Sequence, residues 1–332
     1  MESSNIFFND AGRLRSGWRL LIFVGVYAVV LTLLGVLLRL AFSLFPDHRA
    51  LRFLEGAWGW VVQALILFIP AALVGWGCGA LLEGLPWRAL GWARHRGWVR
   101  DLLMGSLIGA LSLLLACVMA AAPGGFRFTF TAAAMIPLAV KTLLTSGLIF
   151  ILAAAAEEVL FRGYPLQTVL RSWPTWAAII PTSLAFAAIH LGNPNTVPGF
   201  SFINTALAGV WLAVAYLRTR SLWFPLGIHW SWNWMMGAVL GLPVSGINAI
   251  TPQPLMRATD QGPAWLTGGA YGIEGGAACT IVLIISTIFI WRTRLVSATE
   301  EMRLFTEREN PITERRPLSI TETPADYLPP AP

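Results

Sequence analysis

The chain has 332 residues, of which 56% are hydrophobic and only 12% charged, with a formal net charge of +6 and a mean hydropathy of +0.65. Soluble domains carry about 25% charged residues, so this composition excludes a soluble globular protein and predicts one embedded in a bilayer. The basic residues are scattered over short loops rather than clustered, which excludes a nucleic-acid surface and makes the lipid bilayer the expected partner.

Apolar runs of about 20 residues are long enough to span the hydrocarbon core. In chain order they fall near 18–44, 57–83, 101–122, 135–158, 175–191, 200–217, 222–241 and 272–292. The expected fold is an all-α integral membrane protein of about eight transmembrane helices enclosing an intramembrane polar cavity. The first run is too long for the apolar core of a signal peptide and reads as an anchor. Between the second and third runs, Pro86–Trp98 mixes Trp, Leu and Arg, and reads as an interfacial amphipathic helix. From Ser297 the chain turns polar, charged and finally Pro-rich, the composition of a disordered tail. Three regions follow: 1–134, an anchor region of about three helices plus the interfacial one; 135–296, a core of about five helices; and 297–332, the tail.

Arginines set the orientation. Arg13, Arg15 and Arg19 accompany the start of the first run, Arg88, Arg94, Arg96 and Arg100 separate the second from the third, and Arg162 and Arg171 follow the fourth. Arg218 and Arg220 follow the sixth, and Arg292 and Arg294 the eighth. The opposite loops hold Arg49, Arg52, Arg127 and Arg257. By the positive-inside rule both termini are cytoplasmic. Sixteen tryptophans suit membrane interfaces. Cys78, Cys117 and Cys279 stand alone in apolar stretches, which supports neither a disulfide framework nor a cysteine metal site.

Three polar clusters interrupt the apolar runs: Glu157-Glu158-Val-Leu-Phe-Arg162, Phe186-Ala-Ala-Ile-His190 and His229-Trp-Ser-Trp-Asn233. A charge at bilayer depth costs roughly 2.5–3.5 kcal/mol, so such residues face a shared interior and act there. On a helix Glu158 and Arg162 are neighbours and form a structural ion pair, whereas Glu157 points about 100° away and is available for chemistry. A turn near Arg171–Pro174 brings Glu157 and His190 to similar depth on an antiparallel hairpin, with a kink expected at Gly163 and Pro165. His229 and Asn233 share one face of the seventh run, His229 roughly 13 Å in from Arg220. These side chains are expected to meet in a cavity opening toward the cytoplasm.

Such a set suits hydrolysis. Glu157 can serve as a general base, His190 can orient the attacking water, and His229 and Asn233 can donate to an oxyanion. Alternatively Zn²⁺ or another divalent metal held by His190, His229 and Glu157 activates the water, although no H-E-x-x-H is present. Each residue also has a plainer reading: Glu157 and Glu158 as a helix end at the interface, His190 as a satisfied interior histidine, Asn233 as interhelical glue. Glu274 reads as structural, on the side away from the expected mouth. Lys141 has no clear assignment, and His48 and His95 read as surface residues.

Together and in this order, the three clusters resemble the CPBP family of intramembrane proteases. That family includes the CAAX prenyl endopeptidases of the Rce type and bacterial members linked to bacteriocin processing or immunity. Its E-E-x-x-x-R, F-x-x-x-H and H-x-x-x-N patterns fall on Glu157, Glu158 and Arg162; Phe186 and His190; His229 and Asn233. Neighbouring text, including Phe161-Arg162-Gly163 and Gly272-Ile-Glu274-Gly-Gly276, looks like bacterial members. The resemblance covers roughly residues 135–292 and implies a membrane endopeptidase, expected in a bacterial plasma membrane. Glu157 and His190 would activate water, His229 and Asn233 would line the oxyanion site, and Glu158 and Arg162 would support them. Its substrate would be a peptide or membrane protein, with or without a lipid group. The competing reading is a non-catalytic membrane immunity or scaffold protein that binds a peptide or protein partner.

Overall fold

A computed structural model describes residues 6–9, 12–44, 56–196 and 199–306 of the chain. The helices are α1 (Ser16–Ser43), α2 (Ala57–Glu83), α3 (Trp98–Ala121) and α4 (Ile136–Arg162), followed by the short α5 (Tyr164–Leu170). Then come α6 (Thr175–Ile189), α7 (Phe200–Thr219), α8 (Trp223–Trp234), α9 (Ala277–Arg292) and α10 (Glu300–Thr306). A π-helical turn, Met235–Val239, extends α8. All eight apolar runs are helical. Among the described residues, six helical stretches are long and apolar enough to cross a membrane: α1, α2, α3, α4 with α5, α6 and α7. The sixteen-residue α9 and the interrupted α8 are shorter, so length and composition single out six spans rather than the eight expected. These helices are apolar on nearly every face, and Leu33, Leu37, Leu144 and Ile288 point outward where only lipid can cover them.

One end of the bundle is laced together by arginines. Arg19 Nη1 and Arg171 Nη1 reach Glu83 Oε2 at 3.0 and 2.7 Å, joining α1, α2 and the end of α5. Arg100 Nη2 donates to the Leu295 carbonyl, and Arg218 Nη2 to those of Thr293 and Val296. These guanidiniums satisfy carbonyls of the irregular segment that follows α9.

The loop at this end departs from expectation. In place of an interfacial helix, Pro86–Trp98 holds a single 3-10 turn, Trp87–Leu90. Gly91 and Gly97, at φ of 93° and 105°, break the chain into tight turns that a continuous helix cannot include. The loop packs inward, with the Trp223 indole donating to the Ala93 carbonyl and His95 only 2% exposed, so His95 is a buried residue rather than a surface one. The tail also begins with structure: α10 docks on this loop through Arg88 and Glu301, 3.0 Å apart, and the Arg88 guanidinium over the Phe305 ring. The rest of the predicted tail, 307–332, lies outside the described residues, as do His48, Arg49 and Arg52.

The opposite end carries a feature absent from the sequence reading. Strands β1 (Phe126–Phe130) and β2 (Met256–Asp260) pair antiparallel, with Phe126 opposite Asp260 and Phe130 opposite Met256.

Through the middle, α3 and α8 cross at near backbone contact. A Cβ on Gly105 would lie 2.2 Å from the Phe224 carbonyl oxygen, one on Gly109 2.3 Å from that of Ile228, and one on Gly227 2.2 Å from that of Leu102. Small residues let membrane helices approach this closely and gain dispersion contact where no hydrophobic force acts between them. The crossing fixes α8 and the residues it presents to the interior.

Candidate active site

The tetra-alanine stretch Ala153–Ala156 carries α4 past its neighbours and into Glu157 and Glu158, with Ala154, Ala155 and Ala156 buried. The helix ends at Gly163, whose N–H bonds back to the Glu158 carbonyl, and the bend expected there is present. The two adjacent acids face different surroundings. Glu158 is fully buried; its Oε1 accepts hydrogen bonds from Arg162 Nη1 at 3.2 Å and from His229 Nδ1 at 2.9 Å. Arg162 also donates to the Gly209 carbonyl and lies over the Phe186 ring, 4.4 Å from its centroid. Cation–π contact and two hydrogen bonds thus hold a buried guanidinium in place.

Glu157 lies in a cavity of about 340 Å³ that His190, His229 and Asn233 also line, so the structure brings all four predicted residues to one space. His190 Nδ1 lies 2.7 Å from the Phe186 carbonyl oxygen, a group that only accepts, so Nδ1 carries a proton and Nε2 points into the cavity. His229 Nδ1 is likewise engaged by Glu158. The two remaining Nε2 atoms converge on one oxygen, Glu157 Oε2, at 3.9 Å from His190 and 3.6 Å from His229. Both separations exceed hydrogen-bonding distance, and Oε2 has no hydrogen-bond partner among the described residues. The Phe186 ring packs against both imidazoles, with centroids 4.7 Å from His190 and 6.2 Å from His229, and the Phe161 ring meets it edge-on.

Sequence reasoning treated Glu158 as the partner of Arg162 alone. Its bond to His229 joins residues 71 positions apart, which no local spacing reveals. Glu274, expected to be structural and on the side away from the mouth, lines the cavity: Oε1 accepts from the Trp232 indole at 3.0 Å, and Oε2 from the Ser245 N–H and hydroxyl at 2.7 and 2.8 Å. Asn193 and Asn204 line the same space, and Asn204 ties α7 to the Glu274 and Gly276 carbonyls.

Glu157, His190 and His229 have the chemistry of a zinc ligand set, and the acceptor behind each imidazole is of the kind that orients metal-bound histidine. As the side chains stand, however, among the described residues no group of three His, Cys, Asp or Glu side chains is arranged to hold a metal ion. What the arrangement can do directly is place a small polar molecule between a carboxylate oxygen and two ring nitrogens, with an amide on the adjoining wall.

Residues 139–235, which contain all three clusters, match the family model described as type II CAAX prenyl endopeptidase Rce1-like. The likeness to this CAAX prenyl endopeptidase family extends over less than half of the chain. An Escherichia coli protein described as an uncharacterized 24.3 kDa protein is 34% identical over 155 residues. That alignment spans 44% of this chain and 66% of the relative, just under two thirds of its length. No solved structure matches the chain.

Proposed function

With the Rce1-like match of residues 139–235 as premise, we propose that this chain is an intramembrane endopeptidase that uses Glu157 as its general base. Water bound between Glu157 Oε2 and His190 Nε2 gives its proton to the carboxylate as its oxygen attacks the peptide carbonyl carbon. Negative charge then moves to the carbonyl oxygen, where the Asn233 amide and a protonated His229 Nε2 donate hydrogen bonds. Collapse breaks the C–N bond, and Glu157 returns the proton to the leaving amine. Glu158 and Arg162 act behind this set: Glu158 fixes the His229 ring, and Arg162 fixes Glu158.

One observation carries the reading, the convergence of two imidazole Nε2 atoms on Glu157 Oε2 while each opposite nitrogen is already engaged. A buried acid, two histidines and a guanidinium are costly in a membrane, and a protein that only binds a partner has no need to leave a carboxylate oxygen unpaired at their centre. The multi-pass, bacterial plasma-membrane setting with both termini cytoplasmic belongs to the same proposal, resting on the placement of the arginines.

The test is peptide cleavage by the purified full-length chain in lipid nanodiscs. Wild type is expected to generate new termini, and Glu157→Gln to generate none above background. Activity that persists in Glu157→Gln at matched folding would sink the glutamate mechanism. Activity lost on chelation and restored by a divalent ion would move the reading to the metal form. A wild-type cellular phenotype that survives Glu157→Ala, with no new termini in either sample, would favour the immunity or scaffold reading.

A further inference from the structure

The cavity around Glu157 extends away from the arginine-laced end. On α2 its wall runs from Trp60 to Leu67, close to the helix start at Ala57. On α7 it runs from Asn204, near the start at Phe200, to Leu212 past mid-helix, and on α9 it takes Cys279 and Leu283, close to the start at Ala277. All three helices begin at the arginine-poor end. The loops that complete the wall, at Asn193 and from Val244 to Ile250, lie there too. This reverses the expectation of a cytoplasmic opening, which came from measuring His229 along its own helix and ignoring what packs above it.

Toward the arginine-rich end the way is closed. Behind Glu157 sit the buried Glu158 and Arg162, and behind them Gln167 Nε2 bonds the Arg162 and Leu90 carbonyls. The Leu222 N–H bonds the Gly91 carbonyl at 3.0 Å, and the Trp92 and Trp98 rings pack on Trp223 at centroid distances of 5.0 and 4.7 Å. Glu157 and the end of α5 are separated by two helical pieces that bend at Gly163, and the cavity of about 420 Å³ beside them at Val159, Gly163 and Tyr164 shares no wall with the Glu157 cavity.

Toward the arginine-poor end a second cavity of about 490 Å³ adjoins the first and shares the walls Trp60, Gln63 and Ile250. It is lined further by Lys141, Thr142 and Thr145 from the start of α4. Lys141 is the single lysine of the chain. The shared walls therefore stand between the catalytic space and a polar vestibule with one positive charge, where a throat would join the two.

We propose that the cavity is entered through this throat from the arginine-poor face, and that the chains reaching Glu157 are peptide segments presented at that surface. By the positive-inside rule that surface is extracytoplasmic. The route stands on the walls alone; its use by a peptide to be cut rests on the endopeptidase reading above.

Thiol labelling tests the route without requiring catalysis. Full-length Gln63→Cys, with Ile250→Cys as a second throat variant, is exposed to a membrane-impermeant maleimide in sealed vesicles of each orientation; Arg94→Cys reports the arginine-rich side. The native Cys78, Cys117 and Cys279 are buried, and unmodified wild type sets the background. The expected result is labelling of the throat cysteines only in vesicles where Arg94→Cys is silent. Labelling of both throat variants from the Arg94 side, or from neither side, overturns the route. In proteoliposomes of known orientation, peptide added outside should be cut only when the arginine-poor face is outward, at least 10-fold faster than in the opposite orientation. Cleavage confined to the other orientation overturns the proposal. Correct labelling with no Glu157-dependent cleavage in either orientation keeps the route and discards the endopeptidase reading.

Discussion

Two carboxylates sit among basic side chains in this bundle, and they differ in what is left over. Glu83, 2% exposed at the side chain, has both oxygens occupied: Arg19 and Arg171 on Oε2, and the Thr168 hydroxyl on Oε1 at 2.8 Å. Glu157, 25% exposed at the side chain, keeps Oε2 beyond bonding distance of the two nitrogens that face it. The first arrangement is complete without a ligand and joins three helical segments. The second is complete only when something small enters. Burial and charge alone do not distinguish a structural acid from a chemical one; what sets Glu157 apart from Glu83 is an oxygen that two ring nitrogens face across a cavity without reaching it.

Neutralising each acid should separate the two roles. Glu157→Gln is expected to lower turnover about 10²–10⁴-fold, the usual contribution of a positioned general base, with thermal stability close to wild type. Glu83→Gln removes the carboxylate that two buried guanidiniums share and should cost about 3–5 kcal/mol, while turnover per folded molecule stays near wild type. Peptide hydrolysis and thermal unfolding in detergent, measured on both variants, check the contrast. If Glu157→Gln mainly destabilised and Glu83→Gln mainly inactivated, the comparison would be inverted.

Glu158 belongs partly to each class, since it is fully buried like Glu83 yet holds a ring that faces Glu157. Glu158→Gln keeps an acceptor for His229 Nδ1 but removes the charge opposite Arg162. A loss of about 10–100-fold in kcat, typical when an orienting partner of a working histidine is removed, is expected along with lower stability. An unchanged kcat in the folded fraction would reduce Glu158 to a partner of Arg162 alone.

A smaller effect is expected at the glycine crossing, which bears no charge. Gly227→Leu would place Cβ 2.2 Å from the Leu102 carbonyl oxygen, so α3 and α8 must separate. Overpacking of this kind costs about 1–3 kcal/mol. Because α8 carries His229 and Asn233, activity should fall with stability, whereas Gly77→Leu, where added atoms meet open space, should change neither.

How much of this was legible in the sequence follows from the range of the interactions. The three clusters stood out because charge at bilayer depth is costly, and the four-residue spacings of Glu158 with Arg162 and of His229 with Asn233 reported their helix faces correctly. The depth match of Glu157 and His190 across the Arg171–Pro174 turn was also readable, since it needs only helical rise. The Glu158–His229 bond, the Glu274 wall and the side on which the cavity opens depend on how α4, α7, α8 and α9 pack, and period and composition carry none of that. The β1–β2 pair joins strands separated by more than a hundred residues, with no turn signal between them. Gly105-x-x-x-Gly109 is a small-residue pattern that the sequence reading left unused, and only the structure shows which helix it meets.

His95 offers the mildest test and the one that depends on pH. Its Nε2 lies 3.4 Å from Asp101 Oδ2, and contact with that carboxylate pushes the imidazole above its ordinary value. A histidine whose folded-state value is raised stabilises the fold fully below its unfolded value near 6.5, and this contribution disappears as pH climbs through the folded value. Asp101→Asn removes the charge that raises it. The thermal midpoint of wild type should therefore exceed that of Asp101→Asn most clearly at pH 6, and the gap should narrow by pH 8.5. Since the pair secures the arginine-rich loop and not the Glu157 cavity, turnover per folded molecule should be the same in both proteins at either pH. A turnover that followed the His95 titration would mean that the plug above the catalytic residues moves during the reaction, and that the arginine-rich end is less passive than its packing indicates.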